Sequence, residues 1–453
     1  MRRAIVALAV VVALLLSAGL AMQLVLEGPP EHRAAHLVPE DAEWYLSVYL
    51  SPSSAQKRAI ETVSGVVEDP AETARSLAAG LLQRFGVSYD EIEPWLGREM
   101  AVFKLPFRGK ALLLELKNGS DAAGSEVADR IEGVAFRAGF AVVGDGDAVA
   151  AVGQGTSLAD SHAWTVVQAV EDRVLAGFST GDESFYELLY NMDVPVIAAR
   201  LMEGLSHWWL SLDSGRVVID GFSDSDGAFL LSDTAPPEME ELPVDSWLAS
   251  EIPNLDHTVE ALVGMLEARW GRAGAVLEVT SPLLDAVDGA RLALGGANVF
   301  GSWVQLDAAV DDDRSARRRT KAMLAKAPRW GLAVAEGERT WTIDAGAPLG
   351  SITISVDDSL RVGRGAPASE PLATSERYLE AKDWLDGIEP RLYVDLPRMS
   401  DAVGLLADTF LPPPGLSGLD NRVDRVVLGV ERHASGIASR IVIELIPTEE
   451  SSD

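Results

Sequence analysis

The stretch SPSSAQKRAIE, residues 51–61, contains the pair of side chains with the clearest catalytic precedent in the chain. Ser54 and Lys57 have the S-x-x-K spacing of serine acyl-enzymes, in which a lysine one helical turn later activates the serine. Such enzymes also need a K-T-G-like strand. Residues 117–119 (KNG) supply one only superficially, because they follow Ser54 too soon to leave room for the helical domain that separates the two motifs. Ser54 is therefore a weak candidate for a nucleophile.

Comparable segments of the chain favour a structural role for this serine. The segments WLASEIPNLDHTVEALVGML and YVDLPRMSDAVGLL place Thr258 before Ala261 and Ser400 before Val403, so neither contains the lysine. A serine that follows a strand is a favoured N-cap, because its hydroxyl accepts a hydrogen bond from an unpaired N–H of the first helical turn. We predict that Ser54 begins a helix.

Residues near the N-terminus resemble a metal-binding pattern. Glu31, His32 and His36 place two histidines four residues apart beside an acid, and on a helix this spacing can hold a metal. They follow Pro29 and Pro30, and no third ligand is close in sequence. A solvated linker is the better interpretation.

A second acidic group resembles a calcium loop. Asp220, Asp224, Asp226 and Gly227 fit part of a D-x-D-x-D-G pattern, but the first ligand position would be Phe222. We predict a hairpin turn here.

Two Gly-x-Gly motifs, residues 144–146 and 363–365, follow predicted strands. We expect no helix after them, and no third glycine follows at dinucleotide spacing, which argues against nucleotide binding. The tandem aromatic pair Trp208-Trp209 is expected to place one ring in the core and the other outward. Packing under a neighbouring element is the favoured interpretation for the outward ring, and a contact surface is the alternative. The sequence assigns no catalytic, cofactor-binding or metal-binding residue and predicts no cofactor.

The composition limits the class of protein. The chain has 453 residues, of which 47% are hydrophobic, and this length is sufficient for two or three domains. Its 69 acidic and 38 basic residues give a formal net charge of -31, which repels phosphates and argues against a nucleic-acid partner. The absence of cysteine excludes disulfides, thiolate chemistry and a lipoprotein anchor.

The N-terminal sequence predicts a membrane anchor. Arg2 and Arg3 precede a nearly unbroken apolar run, residues 4–26, and a helix of about 23 residues can cross a hydrocarbon core of about 30 Å. The two positive charges favour a cytoplasmic N-terminus and an extracytoplasmic C-terminal bulk. A cleaved signal peptide is the alternative, because residues 17–21 include several small side chains. We predict a single-pass protein of the cell membrane.

The rest of the chain contains a repeated pattern. The segment VPEDAEW, Val38–Trp44, matches LPVDSW, Leu242–Trp247, with an offset of 245 − 41 = 204. The segments SLADSHAW and PLATSERY align Leu158 with Leu372, with an offset of 372 − 158 = 214. Offsets this similar are what a tandem duplication with a small insertion leaves.

The repeat predicts the fold class and the domains. We expect an α+β fold of two tandem related modules, each mostly antiparallel sheet with packed helices, after one N-terminal membrane helix. Hairpins are expected at VVGDGDAV and at Asp357-Asp358. A Pro- and Glu-rich linker at residues 233–243 marks the module boundary. The predicted domains are residues 1–30 (membrane anchor or signal peptide), 31–236 (first module) and 237–453 (second module with a short acidic tail).

The order of these motifs resembles a bacterial family of N-terminally anchored proteins, domain of unknown function 3352. The resemblance rests on the L-P-x-D strand opener, Gln56 near the start of the next helix, the PWLG segment Pro94–Gly97 before a strand, and the L-A-x-S openers. It covers most of residues 37–447. It implies an anchored layout and supplies no activity, substrate or catalytic residue.

We expect a non-catalytic binding or scaffold protein of the bacterial envelope, held in the membrane by its N-terminal helix, with an envelope protein as the candidate partner. The alternative is an extracytoplasmic hydrolase-like enzyme with a site between the modules. A cleft with strongly shifted acids would favour the enzyme, and a large exposed apolar patch would favour a protein or lipid partner.

Overall fold

The structure is a computed structural model, and the chain forms two compact units. Unit 1 comprises residues 1–225 and 435–453, and unit 2 comprises residues 226–434. The residues that the structure describes are 33–49, 82–83, 85–117, 133–161, 173–179, 207–213, 215–223, 239–253, 289–296, 302–310, 312–327, 332–344, 351–357, 359–365, 367–399, 423–433 and 436–446.

Strands dominate these residues. In chain order they are β1 Trp44–Tyr49, β2 Leu96–Leu105, β3 Gly109–Leu116, β4 Ala135–Arg137, β5 Phe140–Gly144, β6 Arg173–Ser179, β7 His207–Asp213, β8 Arg216–Ser223, β9 Ser246–Pro253, β10 Gly289–Gly295, β11 Trp303–Ala309, β12 Ala333–Glu336, β13 Thr340–Asp344, β14 Ser351–Val356, β15 Ser359–Arg364, β16 Pro390–Asp395, β17 Val423–His433 and β18 Gly436–Leu445. The described helices are α1 Tyr89–Ile92, α2 Gly146–Ala151, α3 Asp313–Leu324 and α4 Glu376–Asp383, with 3₁₀ turns at Leu158–Asp160, Met239–Glu241 and Leu372–Thr374.

Both units have antiparallel sheets with a shared strand order. In unit 1 the order is β4-β5-β3-β2-β1-β6-β7-β8-β18. In unit 2 it is β12-β13-β14-β15-β11-β10-β9-β16-β17. The path β5-β3-β2-β1-β6-β7 in unit 1 therefore corresponds to β15-β11-β10-β9-β16-β17 in unit 2.

The hydrogen bonds at the repeated motifs support this correspondence. The Leu158 N–H donates to the Val38 carbonyl at 2.7 Å, and the Leu372 N–H donates to the Leu242 carbonyl at 2.6 Å. Both leucines are buried and each begins a 3₁₀ turn. Leu158 and Leu372 occupy equivalent positions.

The predicted α+β class with packed helices is wrong for the described part of the chain, which is mostly antiparallel sheet. Its longest helix, α3, has 12 residues. The L-A-x-S openers themselves form three-residue 3₁₀ turns, and the serine of the second, Ser375, caps the helix α4 that follows. Short apolar runs fit either element, and here sheet pairing decides between them. Within the described residues no helix is long and apolar enough to cross a membrane, and the predicted anchor at residues 4–26 lies outside them.

One of the two hairpin predictions is confirmed and the other is wrong. Asp357 does lie in the turn between β14 and β15. The VVGDGDAV hairpin is wrong, because β5 is followed by the helix α2, and β5 makes its hairpin with β4 instead.

The two units bury the strands of their sheets differently. In unit 1, six consecutive residues of β3 are buried, as in a strand covered on both faces. One of these faces packs under residues Ala34, Val38 and Ala148. In unit 2, α3 packs on one face of the sheet, in a core that contains Ala308 of β11, the strand that corresponds to β3, together with Trp341 and Ile354. In unit 1, α2 covers one face of the sheet. The corresponding face of the sheet in unit 2 carries polar and charged residues.

Candidate functional site

The turn between β2 and β3 presents an aromatic side chain to solvent. Phe107 is fully exposed, and its φ of 58° lies in the left-handed region that a bulky residue rarely adopts. Such backbone strain persists only where surrounding contacts fix it, and it is often found at functional sites. We call residues 105–109 the hairpin tip.

Polar contacts hold the hairpin tip in this conformation. The Arg108 guanidinium forms an ion pair with Asp41. The Asp145 carboxylate accepts a hydrogen bond from the Lys110 N–H at 2.8 Å. Gly109, with φ of 86°, lies against this carboxylate, since a Cβ there would be 2.1 Å from Asp145 Oδ2. The turn is therefore pre-organised, and Phe107 projects from a fixed base.

A second feature is a row of charged residues across five strands of unit 2. The row, which we call the charge row, consists of Arg391, Glu251, Arg291, Asp307 and Arg361 on β16, β9, β10, β11 and β15. Arg291 is in register with both Glu251 and Asp307, and Asp307 is in register with Arg361. The charges alternate in sign along the row.

The geometry of the charge row varies along its length. Glu251 forms an ion pair with Arg391, and its Oε2 lies 4.0 Å from Arg291 Nη2. Asp307 accepts two hydrogen bonds from Arg361, at 2.7 and 3.4 Å. Arg291, Glu251 and Asp307 are buried, whereas the Arg361 side chain is 58% exposed. The row runs from the interior to the surface.

The equivalent row of unit 1 is almost entirely apolar. The offset of 204 that relates Asp41 to Asp245 places Ser47 at the position of Glu251, and β-register continues the row through Ala101, Leu113 and Val142. Burying an ion pair in place of apolar residues is often neutral or destabilising. The fold does not require these charges, which makes the unit 2 row a candidate for function.

Two buried tyrosines lie on the same part of unit 2. The rings of Tyr378 on α4 and Tyr393 on β16 pack edge to face with centroids 5.3 Å apart. Burial raises the pKa of Tyr393 to about 12 and also raises the pKa of Tyr378. Burial also lowers the pKa of Arg291, while the Glu251 charge raises it. Both phenols are therefore neutral at physiological pH.

A separate ion-pair network fastens α4 to the sheet. Asp395 is completely buried and accepts a hydrogen bond from Arg377 Nε at 2.9 Å, while Arg377 Nη2 donates to Asp424 at 2.9 Å. Arg425 Nη1 donates to Glu380 at 2.8 Å. These charges are paired, and the network is structural.

Unit 1 contains a buried carboxyl group. Glu99 accepts hydrogen bonds from the Ala34 N–H at 2.9 Å, the Ser47 hydroxyl at 2.9 Å and the Tyr45 hydroxyl at 3.4 Å. Burial raises its pKa to about 7, which outweighs the opposing effect of these donors. Glu115 is nearby and forms an ion pair with Arg33 at 2.7 Å. Ser47 and Glu99 are both buried, so this proton-binding group is enclosed by the fold.

The structure places the sequence candidates apart from these features. Ser54 and Lys57 lie outside the described residues, and Lys117 Nζ donates to the Pro94 carbonyl at 3.3 Å. Glu31 and His32 also lie outside them, and His36 is exposed. Among the described side chains no group of three or more could hold a metal.

The described residues of the acidic and glycine motifs lie in or beside regular secondary structure. Asp220 lies within β8 and accepts a hydrogen bond from Arg440 Nε at 2.6 Å, while Asp224 and Asp226 lie outside the described residues. The expectation that no helix follows Gly144-Asp145-Gly146 is wrong, because α2 begins at Gly146. Its six residues carry Ala148 and Val149 into the unit 1 core. Gly363 and Arg364 end β15.

The aromatic pair on β7 packs inside unit 1. Trp208 is buried against Gly177, where a Cβ would lie 2.4 Å from the indole ring. Trp209 is partly buried against the unit 1 core, and the preceding His207 ring lies 5.2 Å from that of Phe178. Packing accounts for both tryptophans.

The sequence motifs predicted a role for none of three candidates: Phe107, the charge row and Glu99. One signal was present. Glu251 and Arg291 occupy the same alternating phase of their strands as Ala249 and Ala293, and a charge in an inward-facing phase is unusual. Their mutual proximity depends on strand pairing, which the sequence pattern does not specify.

Comparisons with known proteins returned no match to a family model, a curated protein or a solved structure. The resemblance to domain of unknown function 3352 stays a prediction.

Proposed function

We propose that this is a membrane-anchored, extracytoplasmic protein of the bacterial envelope that binds or scaffolds an envelope protein. The N-terminal apolar run with its two preceding arginines supports the anchor and the orientation. The hairpin tip supports the binding role and is the observation that carries it.

Several properties of Phe107 suit a binding contact. Aromatic side chains that fill a partner's pocket dominate many protein interfaces, and a pre-organised anchor loses little conformational entropy when it binds. The base of the hairpin tip is electrically balanced, because Arg108 pairs with Asp41 and Lys104 pairs with Glu43 at 2.7 Å. A neutral base with an apolar tip fits an apolar pocket on a protein partner better than a charged surface.

The anchor and the binding role need separate tests. Protease added to intact spheroplasts is expected to digest the region after residue 30 and leave a small membrane-bound fragment. Full protection of that region would refute the proposed orientation.

The binding test uses Phe107→Asn in the full-length chain, with Leu379→Asn as a matched control. Leu379 on α4 is the other exposed large hydrophobic residue of the described chain. Asparagine tolerates the left-handed backbone, so Phe107→Asn should fold at least as stably as the wild type. We expect the partner recovered from solubilised membranes to be lost with Phe107→Asn and kept with Leu379→Asn.

A photo-crosslinking side chain at position 107 identifies what the tip contacts. We expect an adduct with one envelope protein. Adducts with lipid alone, or equal partner recovery with both variants, would contradict the proposed role.

A further inference from the structure

Unit 2 contains a buried group of side chains with more hydrogen-bond donors than acceptors. We call it the donor cluster, and its members are Arg291, Arg391, Glu251, Tyr378 and Tyr393. Arg291 is 6% exposed, Tyr393 is 1% exposed and Tyr378 is fully enclosed. The cluster lies at the interior end of the charge row.

Register and contacts bring these side chains together. Glu251 lies between the two arginines, paired with Arg391 and 4.0 Å from Arg291 Nη2. Tyr393 is two residues from Arg391 on β16, and its ring packs on Tyr378. Tyr393 is in register with Ala249, two residues before Glu251 on β9, so Tyr393, Glu251 and Arg291 lie on one face of the sheet.

Several donors of the cluster form no hydrogen bond within the described chain. They are Arg291 Nε and Nη1, Arg391 Nε, and the hydroxyls of Tyr378 and Tyr393. A buried donor without an acceptor is costly, and the large majority of buried side-chain polar atoms in proteins are paired. The donors of Arg291 and Tyr378 therefore call for an acceptor.

The charge of the cluster selects the kind of acceptor. Two guanidinium groups and one carboxylate leave one uncompensated positive charge, because Asp307 beside Arg291 is paired with Arg361 and the nearby Lys382 is paired with Glu240. Glu241 and Glu389 are exposed, so solvent screens their charges. A monovalent anion would balance the cluster, whereas a divalent anion would leave it negative.

We propose that the donor cluster binds one small monovalent anion, held between the Arg291 guanidinium and the Tyr378 hydroxyl. Burial excludes a bulky ligand. The side chain of Arg391 is 24% exposed, so the cluster reaches the surface, and the size limit admits a halide or a carboxylate of formate size. Charge-assisted hydrogen bonds from guanidinium to an anion are among the stronger polar contacts in proteins.

The test measures thermal unfolding of the full-length chain in detergent at constant pH and ionic strength. Sodium chloride or sodium formate replaces sodium gluconate, whose anion is too large to enter. A ligand that binds only the native state stabilises it by RT ln(1 + [L]/Kd), so the unfolding midpoint rises with the logarithm of ligand concentration above Kd. We expect such a curve with chloride, formate or both, and the anion that produces it identifies the halide or the carboxylate as the ligand.

Variants locate the effect. Tyr378→Phe removes only a hydroxyl and is expected to raise the Kd fitted to this curve at least tenfold. Tyr45→Phe, an equally buried tyrosine of unit 1, should leave it unchanged. Equal midpoints in all three salts, a midpoint that rises in direct proportion to anion concentration, or an unaltered curve for Tyr378→Phe would overturn the proposal.

Discussion

Replacing Glu99 with glutamine should alter how the stability of the protein depends on pH. Burial raises the pKa of this carboxyl from 4.5 to about 7. Each tenfold change in an acid constant corresponds to about 1.4 kcal/mol, so ionising Glu99 costs the folded state about 3 kcal/mol relative to the unfolded chain. Because the pKa of Glu99 is higher in the folded state, the protonated carboxyl contributes stability at low pH. This contribution is fully present below about pH 4.5 and is lost as the pH rises through 7.

Glutamine resembles the protonated carboxyl, because its amide oxygen can accept from the Ala34 N–H while its NH₂ group donates to the Ser47 hydroxyl. The free energy of unfolding of Glu99→Gln should therefore increase relative to that of the wild type as the pH rises, so the variant becomes the more stable of the two. Between pH 5.5 and 8.5 we expect this difference to grow by about 2 kcal/mol in favour of the variant.

Urea unfolding at several pH values measures this difference, and taking it between two proteins cancels the other titrating groups. Ser47→Ala supplies a second test. It removes a donor that lowers the Glu99 pKa, so the transition should move to higher pH. A difference between Glu99→Gln and the wild type that is constant from pH 5.5 to 8.5 would refute the reasoning.

Three further predictions concern single residues. Gly295→Ala should cost about 1–3 kcal/mol of unfolding free energy, because its Cβ would lie 2.2 Å from the Trp303 ring, whereas Gly146→Ala, with open space at its Cβ, should be nearly neutral or stabilising in the same urea titration. Ser375→Ala should cost about 1 kcal/mol by differential calorimetry, because the Ser375 hydroxyl caps α4; no loss would show that the cap contributes nothing. Ser54→Ala should cost about 1 kcal/mol or less, and a fluorophosphonate or β-lactam probe should leave the wild type unlabelled; labelling that disappears in Ser54→Ala would favour an enzyme.

Local patterns in the sequence predicted part of the strand layout. The turn at Asp357 closes a hairpin as expected, and the strands predicted before Gly144 and Gly363 are β5 and β15. The repeated motifs also aligned Leu158 with Leu372. These features succeed because alternation, turn chemistry and spacing act between residues that are close in the chain.

The sequence by itself thus determined the composition, the apolar N-terminal run and the repeated motifs. The tertiary structure decided the balance of helix and sheet and which side chains come into contact. Glu251 and Arg391 are 140 residues apart in sequence, yet strand pairing makes them an ion pair. The pKa of Glu99 rises because β1, β2 and the segment at Ala34 enclose it together. Pairing register and burial are non-local, so a periodicity of two predicts a strand but names none of its neighbours.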